Sequence, residues 1–380
     1  MAVILAVSYI VMFAISVLLF NMRGKTKRQD DILWSLFILS LAVIAFCFEP
    51  EGSGLDIERH WERILLIQQT DISFGNFLFE NSYGYQGLYV FNAICYLIAK
   101  LSVNRHVLPF LVAAVSYSIS FYIMRDWAVR ENIPRKYYAL SILINFSFLP
   151  YYMVVGGIRN GVASCIMALA VYLYLYRRKN ILVFSILCVT SMLIHISVII
   201  VIPFVILSKV RVGIRSGVCI VLVSSLCGLI ANKFATLRIP YLSELAKSYL
   251  LYSSDGQFRS AQYFVITDIS LIVIFLVVLF FQYESKVKTK EIIGTLNVRM
   301  YNFVMLYGLY IIGNLKNYDL VLRPAYLFGP LAPILVCLFY NKTYWGKKRS
   351  ILVVLKLLVS CISLYTVMRY MTYFISVVSF

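Results

Sequence analysis

Long apolar runs, cut by short polar stretches, organise this chain from one end to the other. They fall near residues 2–21, 32–48, 87–101, 107–124, 138–155, 159–176, 181–194, 196–208, 217–232, 264–283, 299–313, 323–340 and 351–370. The runs are continuous and not alternating, which predicts α-helices in a bilayer and argues against a β-barrel. Several are shorter than the ~20 residues that span a hydrocarbon core. Tilted, broken or re-entrant segments are therefore expected. The pattern predicts an all-α polytopic integral membrane protein with about ten to thirteen membrane segments.

Composition agrees with this reading. Of 380 residues 61% are hydrophobic and only 14% are charged. The formal net charge of +18 raises the question of a nucleic-acid partner. The basic residues are instead divided into short clusters between apolar runs, the pattern of cytoplasmic loops, so no nucleic acid is expected. Such clusters are Arg23, Lys25, Lys27 and Arg28; Arg177 to Lys179; Lys209, Arg211 and Arg215; Lys286, Lys288 and Lys290; and Lys347 to Arg349. The stretch 181–208 lies between two of them, so it reads as a hairpin of two short helices, kinked at Pro203, with His195 near the outer face. The segment 49–86 carries seven of the chain's 17 acidic residues and is expected outside, as is 233–263, rich in Tyr and Ser. This assignment meets one conflict. Two ordinary spans at 87–101 and 107–124 would put Arg125, Arg130, Arg135 and Lys136 outside, where the charge rule does not want them, so either one element between 62 and 124 crosses or re-enters unexpectedly or the charge rule fails locally.

The first twenty residues are apolar without a small-residue cleavage site, which predicts a retained helix. No linker separates soluble parts, so 1–380 reads as a single transmembrane domain. The eight cysteines lie in or beside apolar runs, form no CxxC pair and read as small buried hydrophobes. No Walker motif, dinucleotide fingerprint or HExxH is present, and no cofactor or metal site is expected.

Polar interruptions of the apolar runs are the candidates for chemistry. The foremost is Gly-Gly-Ile-Arg-Asn-Gly-Val-Ala at 156–163. Arg159 and Asn160 follow a glycine pair that lets backbone approach a ligand closely. A helix starting there would add its free N–H groups to the guanidinium and make a site for phosphate or diphosphate. The structural alternative is an interfacial arginine reaching the lipid headgroups. His195, in Met-Leu-Ile-His-Ile-Ser-Val, could bond a phosphate or shuttle a proton, or be a core histidine satisfied by Ser191 and Ser197. Asp56, Glu58, Arg59 and His60 follow Gly52-Ser53-Gly54. A carboxylate there could act as a general base for a sugar hydroxyl, whereas a plain amphipathic loop helix would carry the same residues. Asn317, Tyr318, Asp319, Arg323 and Pro324 form a late cluster, where Arg323 is either a second cation for a diphosphate or one half of an Arg–Asp pair. Most of the 29 tyrosines read as an interfacial belt.

These residues carry a resemblance. The block Gly-Ile-Arg-Asn-Gly-Val-Ala (157–163), an apolar helix ending in Tyr-Arg-Arg-Lys (176–179), Ile-His-Ile-Ser-Val-Ile-Ile (194–200) and Leu-Arg-Pro-Ala-Tyr-Leu (322–327) resemble the Wzy-type polysaccharide polymerases of the EpsG-like group, over roughly 50–340. Relatives often have Asp followed by tyrosines where this chain has Asp-Ile-Glu-Arg-His. The resemblance implies polymerisation of O-antigen, capsule or exopolysaccharide repeat units at the outer face of the bacterial inner membrane. The growing glycan would pass from undecaprenyl diphosphate to a lipid-linked repeat unit. It also implies a fold similar to lipid-dependent multi-spanning (GT-C-like) glycosyltransferases. Its partners would be the lipid-linked oligosaccharides, the bilayer, a flippase and a chain-length regulator. In that reading Asp56, Arg159 and His195 are catalytic, and Arg59, His60, Asn160, Asp319 and Arg323 bind substrate. The competing readings are a lipid-linked oligosaccharide flippase, which would spread its cations through the membrane, and an O-antigen ligase using the same donor.

Overall fold

The computed structural model describes residues 27–50, 55–79, 87–101, 104–134, 136–209, 213–226, 262–289, 298–315, 318–339 and 348–377. The apolar run at 2–21 and nearly all of the loop expected at 233–263 lie outside them. Every regular element among the described residues is helical. Gln29–Phe46, Val107–Arg130 and Arg349–Thr372 are long and apolar enough to cross a membrane, and further apolar helices are shorter. Leu36, Leu39 and Val43, and Leu111, Val115 and Tyr122, are exposed on the first two of these, as lipid-facing positions would be. The chain is an all-α membrane protein.

The helices group into two compact units, one of Met1–Ile199, Tyr326–Cys337 and Leu364–Phe380, the other of Ile200–Ala325 and Leu338–Ser363. The first unit holds α1 (Lys27–Phe46), α2 (Asp56–Gln69), α3 (Phe74–Phe79), α4 (Tyr89–Lys100) and α5 (Val107–Arg130). Then come α6 (Lys136–Phe148), α7 (Tyr151–Gly156), α8 (Arg159–Val171) with a π-helical extension at Tyr172–Tyr176, and α9 (Ile181–Met192).

α1 and α5 lie antiparallel along their whole length. Asp31 pairs with Arg125 at one end. Trp34 and Phe37 pack on Phe121 with ring centroids 4.8 and 5.3 Å apart. Phe46 meets Phe110 edge-on, and Arg105 pairs with Glu49 at 3.1 Å at the other end. The chain therefore leaves α1 and enters α5 at the same end, and the described helices between them make no net crossing. The helices there are too short to span. α2 with 14 residues and α4 with 12 measure about 21 and 18 Å at ~1.5 Å per residue, against a core of ~30 Å. Of the alternatives open for residues 62–124, α4 is a short element that does not cross. This removes the charge conflict, because Arg125 and Arg130 now lie at the end where α1 begins.

That basic end is tied together by part-buried and exposed polar contacts. Asp126 accepts from Arg130 Nε at 3.1 Å, from Arg177 Nη1 at 2.7 Å and from the Tyr172 hydroxyl. The Tyr176 hydroxyl donates to Glu131, and its ring stacks on Trp127 at 4.9 Å. α8 thus runs parallel to α5 and ends beside it. α9 returns antiparallel, capped at its start by Asn180, whose side chain accepts from the Leu182 N–H at 3.1 Å.

α6 and α7 form one broken helix. Pro150 lacks an N–H and interrupts the ladder. Tyrosine hydroxyls satisfy carbonyls nearby, as dry surroundings demand: Tyr117 donates to Leu149 O at 3.4 Å and Tyr151 to Leu41 O at 2.7 Å. A second break follows at Gly156–Ile158, where α7 reverses into α8. A Cβ at Gly157 would lie 2.9 Å from Met153 O, so the reversal requires glycine.

The second unit holds α10 (Val201–Leu207), α11 (Ile214–Ser225), α12 (Gln262–Thr289), α13 (Val298–Gly313) and α14 (Tyr318–Ala325). α13 is its buried centre. Gly308 packs against Leu276 of α12, the close approach that small residues permit between membrane helices. Asn302 Nδ2 donates to Ser208 O at 3.0 Å, and the Tyr307 hydroxyl to Pro324 O at 3.2 Å. α15 (Ala332–Cys337) belongs to the first unit, and α16 (Arg349–Val377) is shared between the two.

Candidate active site

α2 begins where the glycine-rich stretch ends. Asp56 and Glu58 occupy its first turn, where acidic residues complement the unpaired N–H groups. Ile57, His60, Trp61, Ile64 and Ile67 form its buried stripe at helical spacing. Trp61 fastens this stripe to the mouth of α5. Its Nε1 donates to Arg105 O at 3.1 Å, the Arg105 guanidinium lies 4.6 Å above its ring, and the His106 ring is 4.7 Å away. The amphipathic helix weighed as the structural alternative for this loop is present, and its register turns Asp56 and His60 the same way.

The first residue of α8 is Arg159. Its Nη2 donates to Asp56 Oδ2 at 2.9 Å, across 103 positions of sequence. Arg59 Nη2 donates to Asp56 Oδ1 at 2.7 Å. One carboxylate thus holds two guanidinium groups, with different surroundings. The Arg159 side chain is only 15% exposed, whereas that of Arg59 is 67% exposed. The Arg59 contact adds little, because water screens it. The Arg159 contact is largely desolvated, and Phe91 of α4 supports the guanidinium with its ring centroid 5.8 Å away.

Burial by itself would raise the proton affinity of Asp56. Contact with His60 and the charge of Arg159 outweigh it and hold the carboxyl well below the usual carboxylate range. A carboxylate this weakly basic, with each oxygen already accepting from a guanidinium, is a poor general base. In this geometry Asp56 orients Arg159.

His60 is fully buried, with its ring 4.7 Å from Phe91 and Nε2 3.6 Å from Asp56 Oδ2. Its ring is packed behind the carboxylate, away from the surface. Burial lowers its proton affinity most, Asp56 opposes this, and Arg159 and Arg63 add to the lowering, so the net shift is downward and the ring is neutral near pH 7. A histidine buried neutral favours the unfolded state once the unfolded ring binds a proton. Stability from this site is therefore full above pH 6.5 and falls as pH drops from 6.5 towards the lower folded value. In thermal unfolding followed between pH 7 and 5, His60→Asn is expected to flatten the acid-side decline seen in the wild type. Equal slopes would mean that His60 contributes nothing to it.

A second helix break meets the first. After α9 the chain loosens at Leu193–His195 before the 3₁₀ turn Ile196–Ile200. Leu193 O accepts from Phe91 N–H at 3.4 Å, and Ser191 Oγ donates to Ala163 O at 2.7 Å. Ser197 lies between His195 and Asn160: its Oγ is 2.8 Å from His195 Nδ1 and 3.4 Å from Asn160 Oδ1. Ser191, considered as a partner for His195, is engaged with α8 instead.

Asp56, Arg59, His60, Arg159, Asn160 and His195 thus come together in the first unit. Arg323 is half-buried on α14 in the second unit, while Asn317 and the Asp319 side chain lie outside the described residues. Sequence reasoning saw Arg63 only as the i,i+4 neighbour of Arg59 and gave it no role at the site; it is half-buried seven residues after Asp56 and acts electrostatically on His60. The i, i+4, i+7 spacing of Asp56, His60 and Arg63 was the available signal. Nothing in the sequence marked Phe91. Among the described residues no three His, Cys, Asp or Glu side chains gather as a metal site requires. The chemistry on offer is that of guanidinium and imidazole groups at the start of a helix, which suits anionic oxygens.

No curated protein and no solved structure matches the chain. The model of the EpsG family matches residues 31–378, nearly its whole length, and the chain belongs to the EpsG family.

Proposed function

We propose that this protein is a bacterial polysaccharide polymerase, a glycosyltransferase that extends O-antigen, capsule or exopolysaccharide repeat units. Membership of the EpsG family points to a polymerase-type function. The donor is the growing glycan on undecaprenyl diphosphate, and the acceptor is the terminal sugar of a lipid-linked repeat unit. The anomeric C–O bond to the diphosphate breaks, a bond to the acceptor hydroxyl oxygen forms, and the hydroxyl proton is released. Negative charge grows on the departing diphosphate, so transfer is accelerated by donors placed where that charge develops.

The observation that carries this reading is the desolvated Asp56–Arg159 pair at the start of α8. It presents a guanidinium, preoriented, together with the first N–H groups of a helix. Asn160 and Arg59 flank it as substrate contacts. The basic residues at the opposite end of the unit, Arg125, Arg130 and Arg177, favour a cytoplasmic position for that end. The site then faces the outside of the inner membrane, where flipped lipid-linked units are delivered.

Proteoliposomes containing the purified protein and undecaprenyl-diphosphate-linked repeat units are expected to form a ladder of lengthened glycans and to release undecaprenyl diphosphate. A protein that moves the lipid-linked units across the bilayer without lengthening them is a flippase, and that result would overturn the proposal.

A further inference from the structure

The two glycines at 156 and 157 have different neighbours. Neither has a positive φ, so backbone conformation calls for glycine at neither position. At Gly157 a Cβ would strike backbone, Met153 O at 2.9 Å. At Gly156 the three nearest atoms all belong to one side chain. A Cβ there would lie 3.3 Å from Leu55 Cδ1, 3.6 Å from Cδ2 and 3.9 Å from Cγ. Gly156 is the last residue of α7, a helical position where alanine is more favourable than glycine. The close approach of Leu55 is what the missing side chain permits.

Leu55 is the residue before α2. Its backbone is extended, with φ −68° and ψ 153°, and its carbonyl accepts the N–H of Glu58 at 3.2 Å as the first turn begins. Asp56 follows at once, and its Oδ2 receives Arg159 Nη2 at 2.9 Å. Arg159 stands three residues after Gly156. The same two stretches of chain therefore meet twice. Leu55 sits over Gly156, and one residue on Asp56 bonds Arg159. Further along α2, Trp61 is tied to α5 through Arg105 O at 3.1 Å. No side chain caps the start of α2, and the seat of Leu55 on Gly156 locates it.

We propose that Leu55 and Gly156 are positioning residues: the leucine seated on the glycine sets the start of α2 so that the Asp56 carboxylate reaches Arg159 and aims its guanidinium. The contact stands on geometry, whereas its effect on turnover rests on the polymerase reading above.

Stability and turnover are expected to part company. Gly156→Ala should unfold no lower than the wild type, because alanine favours the helix and the end of a half-buried leucine can yield, yet kcat should fall. Gly156→Val drives Leu55 off its seat, and a misplacement of about 1 Å costs about 100-fold in kcat. Leu55→Ala added to Gly156→Val conserves volume at the contact and should restore most of the lost kcat. Asp56→Asn, which lowers kcat in the wild type, is expected to cost nothing further in Gly156→Val, because the pair with Arg159 is already lost.

A readout without turnover separates the contact from the reaction. In Leu55→Cys, Gly156→Cys, an oxidant is expected to join positions 55 and 156, found by mass spectrometry as one linked peptide, since the two side chains lie within reach of a disulfide. Absence of the link, or an unchanged kcat in Gly156→Val, would overturn the proposal. So would a lowered unfolding temperature in Gly156→Val with the cost of Asp56→Asn undiminished, which marks plain packing. If the link forms but the wild-type protein lengthens no glycan, the polymerase reading fails and the seat of Leu55 stands.

Discussion

Arg159→Ala is expected to abolish long glycan while the protein remains folded in the membrane. Arg159 is the desolvated cation of the site and the residue that opens α8. Removal of one preorganised donor to a developing anion costs about 10²–10³ in kcat. The substitution also leaves Asp56 with the solvated Arg59 as its remaining guanidinium partner among the contacts described, so the site loses its net positive charge. Single repeat units attached to carrier should accumulate in cells, and chain-length ladders on gels should collapse to one step. Arg159→Lys is expected to recover little. A guanidinium can bond Asp56 through one nitrogen and turn its others to a diphosphate, whereas an ammonium is a compact point charge without that fork. Normal ladders in Arg159→Ala would end this assignment of the site.

Replacement of Asp56 should produce the second largest loss, for a different reason. Asp56 does not need to touch substrate to matter; it aims Arg159. Asp56→Asn keeps the shape but gives up a charged hydrogen bond, about 1.5–3 kcal/mol or roughly 10–100-fold in kcat. The pH dependence separates orientation from base catalysis. The folded carboxyl is held below its ordinary 3.8, so the stabilisation from the pair is complete above that value and is lost as pH falls through the lower folded value. Asp56 is therefore ionised throughout pH 5–8, and no limb of the rate profile in that range belongs to it. Asp56→Asn is expected to lower the plateau without moving either limb. The double variant Asp56→Ala, Arg159→Ala should be little worse than Arg159→Ala alone, since residues that act as a unit do not add. Additive losses, or disappearance of a limb in Asp56→Asn, would make Asp56 a base after all.

Several particulars were legible along the chain because they are local. The glycine pair before Arg159 marked a break, and the structure places the reversal between α7 and α8 there. His195 marked the interruption of an apolar run, and α9 ends three residues before it. The amphipathic register of residues 56–69 could be read from hydrophobic spacing alone. Other particulars were not legible. Residues 87–101 have the hydropathy of a span, yet α4 packs beside α2 and crosses nothing, because Arg105 and Glu49 bring its neighbours to one end. Hydropathy reports how apolar a segment is, not whether its neighbours leave it room to cross. His60 and Arg59 are adjacent and looked alike as polar loop residues; a turn of about 100° between them on a helix buries one and leaves the other in water.

Hydrophobic period, charge distribution and glycine placement were enough to define an all-α membrane protein with basic clusters between its apolar runs and helices broken at Gly156–Ile158 and near His195. Those properties belong to segments and survive without knowledge of their neighbours. The pairing of Asp56 with Arg159, the burial of His60 and the contacts of Ser197 with His195 and Asn160 emerged only from packing. Proton affinity and hydrogen-bond direction depend on which groups lie within a few ångströms, and helices distant in sequence supply those groups.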